Sequence, residues 1–250
     1  MKVRFVLLMV VVCIEGGLFA QEITYYGGLN MNTISTQDFN NFHISDWETY
    51  GLGTSTSEGR VSIPLGDRDV AGENPGILLG ATTSIGSGLN AIGEIQYGLG
   101  NVTYIGLFTG VSYALIEGNF SLGITPKLGY ISATADFGAI ELIDGYTPPV
   151  IISEGTFTNG DSLSMDMSGF AIQVGLTPSF QVSDQIGIFG QIGYGMSFVS
   201  DPVIKVNDEI EIPLTATGVV KDDFSGTQAG LNPEAGTSGL YFQMGISYKL

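Results

Sequence analysis

The chain contains one cysteine, one histidine and one tryptophan among 250 residues, and only 13% of its residues are charged. Each shortage excludes something. A lone cysteine, Cys13, allows no internal disulfide and no thiolate metal cage. A lone histidine, His43, leaves little for imidazole catalysis or metal binding. Eight basic residues against twenty-five acidic ones give a net charge of −17, so no basic patch is available for nucleic-acid phosphates. Beyond the first twenty residues there is no apolar run long enough for a membrane-spanning helix.

Those first twenty residues, MKVRFVLLMVVVCIEGGLFA, have the layout of a secretory leader. Lys2 and Arg4 form a short positive region, Phe5 to Ile14 an apolar stretch, and Gly16, Gly17 and Ala20 the small residues before a cut after Ala20. The apolar stretch is too short to span a bilayer. Val12 is not the small residue that a lipid-anchored cysteine at position 13 requires. Removing this leader takes away Cys13 and a net charge of +1, which leaves the remainder near −18.

What is abundant points one way. Hydrophobic residues make up 44% of the chain and there are 37 glycines, whereas a soluble domain carries about a quarter charged residues. The closing segment, Gly239 to Leu250, alternates apolar and polar at every step. A strand sends successive side chains to opposite faces, so this is a strand with one apolar face. The same alternation recurs around Tyr25–Met31, Ile77–Ile85, Ala91–Leu99, Ile105–Leu115, Phe120–Tyr130, Phe170–Val182 and Ile186–Phe198. Eight such segments of about ten residues, with no spanning helix, predict a single all-β domain over residues 21–250. The prediction is an eight-stranded antiparallel up-and-down transmembrane barrel.

The connections are uneven. Gly86–Leu89, Glu117–Asn119 and Ser183–Gln185 are tight turns on one rim. Long loops, about 32–75, 136–168 and 199–237, and the short Gly100–Val102, occupy the other. Outward aromatics divide in the same way. Tyr25, Tyr113, Phe120, Phe180 and Tyr248 gather near the tight turns, and Tyr97, Tyr130, Phe170 and Phe198 near the long loops. Two aromatic belts with aliphatic residues between them match the two interfaces of a membrane. A soluble secreted β-sandwich is the rival fold.

On this pattern the chain resembles small bacterial outer-membrane β-barrel proteins of the OmpA/OmpX-like, porin-family type, over Gln21 to Leu250. The resemblance implies an integral outer-membrane location with the long loops outside and the tight turns in the periplasm. It also implies that Phe242, Met244, Ile246, Tyr248 and Leu250 in the last strand are read by the barrel-assembly machinery. Leu250 departs from the terminal Phe common in proteobacterial members. The Ala20–Gln21 junction is similar to Bacteroidota exported proteins.

The inward parity carries Glu22, Glu94, Gln96, Lys127, Gln173, Gln191, Gln243 and Lys249. Eight strands enclose room only for side chains, and charges there must be paired. A polar network with Lys127 bound to Glu94 is therefore expected, and a narrow path for ions or small solutes is the alternative. Two similar phrases, GITPKL and GLTPSF, put Pro126 and Pro178 inside neighbouring strands. A shared bulge or a lateral opening for lipid would account for them.

The remaining motifs are weaker. His43 stands near Ser45 and Asp46, the only basis for a lipid-modifying enzyme. Acidic phrases at 66–69, 159–166 and 221–223 lack the spacing of a calcium loop. Val203 to Leu214 reads as a hairpin turning at Asn207–Asp208, and Val150–Ile152 with Thr156–Thr158 as a second. The expectation is a monomeric, non-enzymatic barrel without cofactor or metal, in contact with outer-membrane lipid. Its role is structural or directed at an extracellular partner through its acidic loops.

Overall fold

The computed structural model describes residues 22–37, 43–44, 63–64, 72–100, 102–139, 150–152, 155–158, 160–213, 234–236 and 238–250. The leader and the acidic phrases at 66–69 and 221–223 lie outside them. Eight long strands form the wall: β1 (Ile23–Gln37), β2 (Gly72–Gly86), β3 (Leu89–Leu99), β4 (Val102–Ile116), β5 (Phe120–Ala139), β6 (Ser162–Gln181), β7 (Ile186–Val206) and β8 (Gly239–Lys249). Each pairs antiparallel with the next. β8 then returns to β1, with Thr24 opposite Lys249 and Asn32 opposite Tyr241. The ring is closed, which excludes the two-sheet sandwich and leaves no open edge in the wall.

Closure and alternation together dictate the surface. In a closed ring every residue of one parity points out and every residue of the other points in. Leu29, Leu79, Leu240 and Ile246 point out and are 60–66% exposed, a burial pattern opposite to that of a soluble core. Gln96, Gln173, Gln243 and Lys127 point in and are buried. The apolar outside is a band suited to hydrocarbon, where backbone groups must all be satisfied within the wall.

The strands run further than the sequence pattern suggests. β1 continues to Gln37, β5 to Ala139 and β7 to Val206, and β6 begins at Ser162, inside segments read above as loops. The reason is an inversion of polarity. Below Tyr130 and Phe170 the outward residues are Leu128, Ile172 and Val174. Beyond them the outward residues are Ser132, Thr134, Asp136, Ser164, Asp166 and Ser168. Over the same stretch the buried inward residues are Ile131, Ala135, Phe137, Leu163, Met165 and Met167. This part of the wall is built like a soluble sheet, apolar inside and polar outside. A search for outward apolar residues therefore stops at the belt.

Short pairings decorate the long-loop end. Val203–Val206 of β7 pairs with Ile210–Pro213, and Asn207 and Asp208 between them both have positive φ (54° and 58°), as a tight hairpin turn demands. Val150–Ile152 pairs with Gly155–Phe157. His43–Ile44 pairs with Ile63–Pro64.

The two prolines do not make a bulge. Across Pro126 the β4–β5 register is unchanged, with Gly110 opposite Lys127 and Tyr113 opposite Ile124. Across Pro178 the β6–β7 register is likewise unchanged, with Leu176 opposite Ile192 and Ser179 opposite Phe189. A proline withholds one N–H without needing an inserted residue, so the ladder skips two bridges and resumes.

Candidate functional site: the lumen

The inward face meets in a closely filled lumen. Its centre is Lys127, carried on β5. The ammonium lies 2.8 Å from Glu94 Oε1 on β3, 3.1 Å from Gln191 Oε1 on β7 and 3.2 Å from Gln243 Oε1 on β8. Three N–H donors meet three acceptors, which is the full capacity of a lysine. The rings of Phe108 and Tyr241 stand 5.8 Å and 5.4 Å from the same nitrogen, within cation–π range.

Glu94 is equally well held. Its Oε1 also accepts from Gln96 Nε2 at 2.6 Å and Gln243 Nε2 at 3.1 Å, and its Oε2 accepts from Tyr26 OH at 2.9 Å. Gln96 Nε2 also reaches Gln173 Oε1 at 3.1 Å. Both charges are almost fully buried, with 1% and 3% of their side chains exposed. A pair so buried recovers its desolvation only when the remaining hydrogen-bonding positions are filled, and here Tyr26, Gln96, Gln191 and Gln243, from four strands, fill them.

Of the eight inward residues named from the sequence, six meet in this network: Glu94, Gln96, Lys127, Gln173, Gln191 and Gln243. Glu22 and Lys249 do not. They pair with each other at 2.7 Å on the tight-turn rim, both well exposed. The aromatic positions Tyr25, Tyr97, Tyr113, Phe120, Tyr130, Phe170, Phe180 and Phe198 point outward, as do Phe242, Met244, Ile246, Tyr248 and Leu250 of the last strand and its end. Tyr130 and Phe170 meet edge to face at 5.9 Å.

The sequence reading passed over several inward residues. Asn30 donates to Tyr104 OH at 2.7 Å, and Asn32 hydrogen-bonds the same hydroxyl. Asn74 Nδ2 donates to the Val102 carbonyl at 2.8 Å. Tyr104, Phe108, Ile131 and Ala171 also form a buried apolar cluster, which touches the ion pair through Phe108. Tyr26, Tyr104, Phe108 and Tyr241 all stand on inward parity, which is the signal that could have found them. Each lies over a glycine of another strand: a Cβ on Gly98 would overlap the Tyr104 ring, and one on Gly175 the Tyr241 hydroxyl. The glycine content thus makes room for rings inside a narrow barrel.

Towards the tight turns the lumen is lined by hydroxyls. Thr125 Oγ1 lies 3.0 Å from Ser112 Oγ and 2.9 Å from Thr177 Oγ1. The described lumen residues thus comprise a group of hydroxyls, an ion-pair network and an apolar cluster against it. Among the described residues no three His, Cys, Asp or Glu side chains gather as metal ligands. His43 lies on a short pairing in the long-loop region, and Ser45 and Asp46 lie outside the described residues.

No family model matches the chain, and no curated protein matches it. Among solved structures it is similar to the outer membrane protein OprG from Pseudomonas aeruginosa, at 10% identity, covering 92% of this chain and 96% of that one, with a TM-score of 0.48. A major outer membrane protein from Thermus thermophilus is similar at 10% identity, 92% and 99% coverage and a TM-score of 0.48. Ail, the attachment invasion locus protein of Yersinia pestis, is similar at 12% identity, 92% and 98% coverage and a TM-score of 0.42. All three are small outer-membrane barrels. At this degree of likeness none of them carries an argument about what this chain does.

Proposed function

We propose that this protein is an integral outer-membrane barrel with a structural or surface-interaction role, whose lumen does not conduct. The supporting observation is the Lys127–Glu94 pair, with all three lysine donors engaged by residues from three strands and an apolar cluster packed against it. A hydrated path would have to break both. The wall above the aromatic belt then serves as a rigid platform for the loops, in keeping with a leader-exported chain whose long loops lie outside the cell and whose tight turns lie in the periplasm. In this reading the last strand is the assembly signal, the barrel is monomeric, and neither enzyme chemistry nor a cofactor is involved.

The test is conductance in planar bilayers. Refolded protein is expected to give no unitary steps, whereas a variant with Glu94 and Lys127 both replaced by alanine opens measurable leakage. A second reading, a narrow pore for ions or small solutes, draws support from Gln191 Nε2 and Tyr241 OH, two buried polar atoms in the lumen that lack a hydrogen-bond partner. Reproducible steps from the unmodified barrel would select that reading.

A further inference from the structure

The lipid-facing wall has a polar gap beside Pro178. Between β6 and β7 the ladder has no bridge at the two positions between Leu176–Ile192 and Ser179–Phe189. In an antiparallel ladder this gap is what remains when Pro178, opposite Gly190, has no N–H to donate to the Gly190 carbonyl. The same gap recurs at Pro126 opposite Val111, but there valine places a side chain over the position. Gly190 places none. A Cβ on Gly190 would fit without a clash, in ordinary contact with Gln243 O and Pro178 Cγ at 3.8 Å.

A groove lies against this spot. Its volume is about 670 Å³, and its lining includes Phe120, Pro178, Phe180, Gly190, Phe242 and Met244. These residues all have outward parity, so the groove opens to the outside of the barrel and is continuous with the apolar band. It runs from the tight-turn aromatic belt, at Phe120 and Phe180, towards the middle of the wall. No ionisable residue lines it, which leaves nothing to hold a charged peptide. In hydrocarbon no water reaches a backbone carbonyl, and leaving one unpaired costs several kcal/mol.

We infer that this groove seats a single acyl chain of a membrane lipid, and that the chain carries a hydroxyl or amide N–H that donates to the Gly190 carbonyl. The inference rests on the lipid-facing reading of the wall. Hydrocarbon fills the apolar channel between the phenylalanines, and the donor satisfies the one group that Pro178 leaves bare. The groove thereby selects hydroxylated or amide-bearing chains over plain ones.

The experiment compares 3-hydroxymyristic acid with myristic acid, binding each to protein refolded in detergent micelles and counting bound molecules by native mass spectrometry. The wild type is expected to bind the hydroxy acid about tenfold more tightly, the contribution of one net hydrogen bond. Pro178→Ala returns an N–H to the ladder, so it is expected to bind the two acids alike. Gly190→Leu fills the floor of the groove and is expected to bind neither. Equal binding or no binding by the wild type overturns the inference, as does unchanged binding by Gly190→Leu. A wild-type dimer that Gly190→Leu converts to monomer also overturns it, because a second copy would then occupy the groove. Each sample is checked for a change in gel migration on heating. Loss of that shift in the wild type overturns the membrane reading, and this inference with it, whereas a folded barrel without selectivity overturns the groove alone.

Discussion

Tyr130 and Phe170 are cross-strand partners whose rings meet edge to face at 5.9 Å, and the polarity of the wall reverses at this pair. On one side leucine and isoleucine face out. On the other serine, threonine and aspartate do. The pair therefore marks the water line on β5 and β6.

This boundary can be tested by accessibility. In a background with Cys13 replaced by serine, a cysteine at Thr134 is expected to react with a membrane-impermeant maleimide in intact vesicles or cells. A cysteine at Leu128 or Ile172 is expected to remain unlabelled until detergent is added. Equal labelling at all three positions would remove the boundary.

The inverted stretch also predicts opposite tolerance on its two faces. Ser132→Asp points to solvent and is expected to change stability by less than about 0.5 kcal/mol. Ala135→Asp puts a carboxylate into a fully buried apolar position and is expected to cost several kcal/mol. Urea unfolding of the refolded barrel measures both.

The lumen pair makes a prediction about non-additivity. Lys127→Met leaves Glu94 buried without its cation, and Glu94→Gln leaves Lys127 without its anion. Each is expected to destabilise by about 3–5 kcal/mol. The double variant removes both charges and is expected to lose much less than the sum. A double-mutant cycle in urea measures the difference, and additive losses would mean that the two charges do not depend on one another.

Acid is expected to loosen the hairpin before the barrel. The Asp161 carboxyl is held below its usual range first by the Asn207 side chain and then by the Thr158 amide, which donates to it at 2.6 Å. A lowered folded-state value means that the stabilisation is complete above the unfolded value of about 3.9. It is lost as pH falls through the folded one. Hydrogen exchange at residues 206–209 is expected to quicken in that acid window while the amides of β3 and β4 stay protected.

The sequence made the membrane-facing half of this fold legible because lipid imposes a simple rule: every second residue apolar for about ten residues. Leu240 to Leu250 follows it without exception. It also placed Lys127 and Glu94 on one inward surface, since parity alone decides which side of a closed wall a residue faces. Other features show only in the folded chain. The strand ends beyond Tyr130 and Phe170 obey the opposite rule. The rings of Tyr104 and Tyr241 count as apolar in a pattern search, although they sit among amides. Glu22 and Lys249 share the inward parity but lie at the rim, and parity carries no information about height along the barrel axis.

The union of β1 with β8 has a consequence for how the protein is made. Seven of the eight seams join strands adjacent in the chain, and these can form as successive hairpins. The eighth joins Thr24 to Lys249, and the amide of Leu250 donates to the Ile23 carbonyl at 3.1 Å. That contact spans nearly the whole polypeptide, so its loop-closure entropy is the largest of any seam. Long-range pairing of this kind forms late and slowly. Until the last strand arrives, β1 waits with an unpaired flank and the curved sheet stays open like an unfastened collar. The last strand is the clasp of the ring, and removing residues from it is expected to slow closure of the wall.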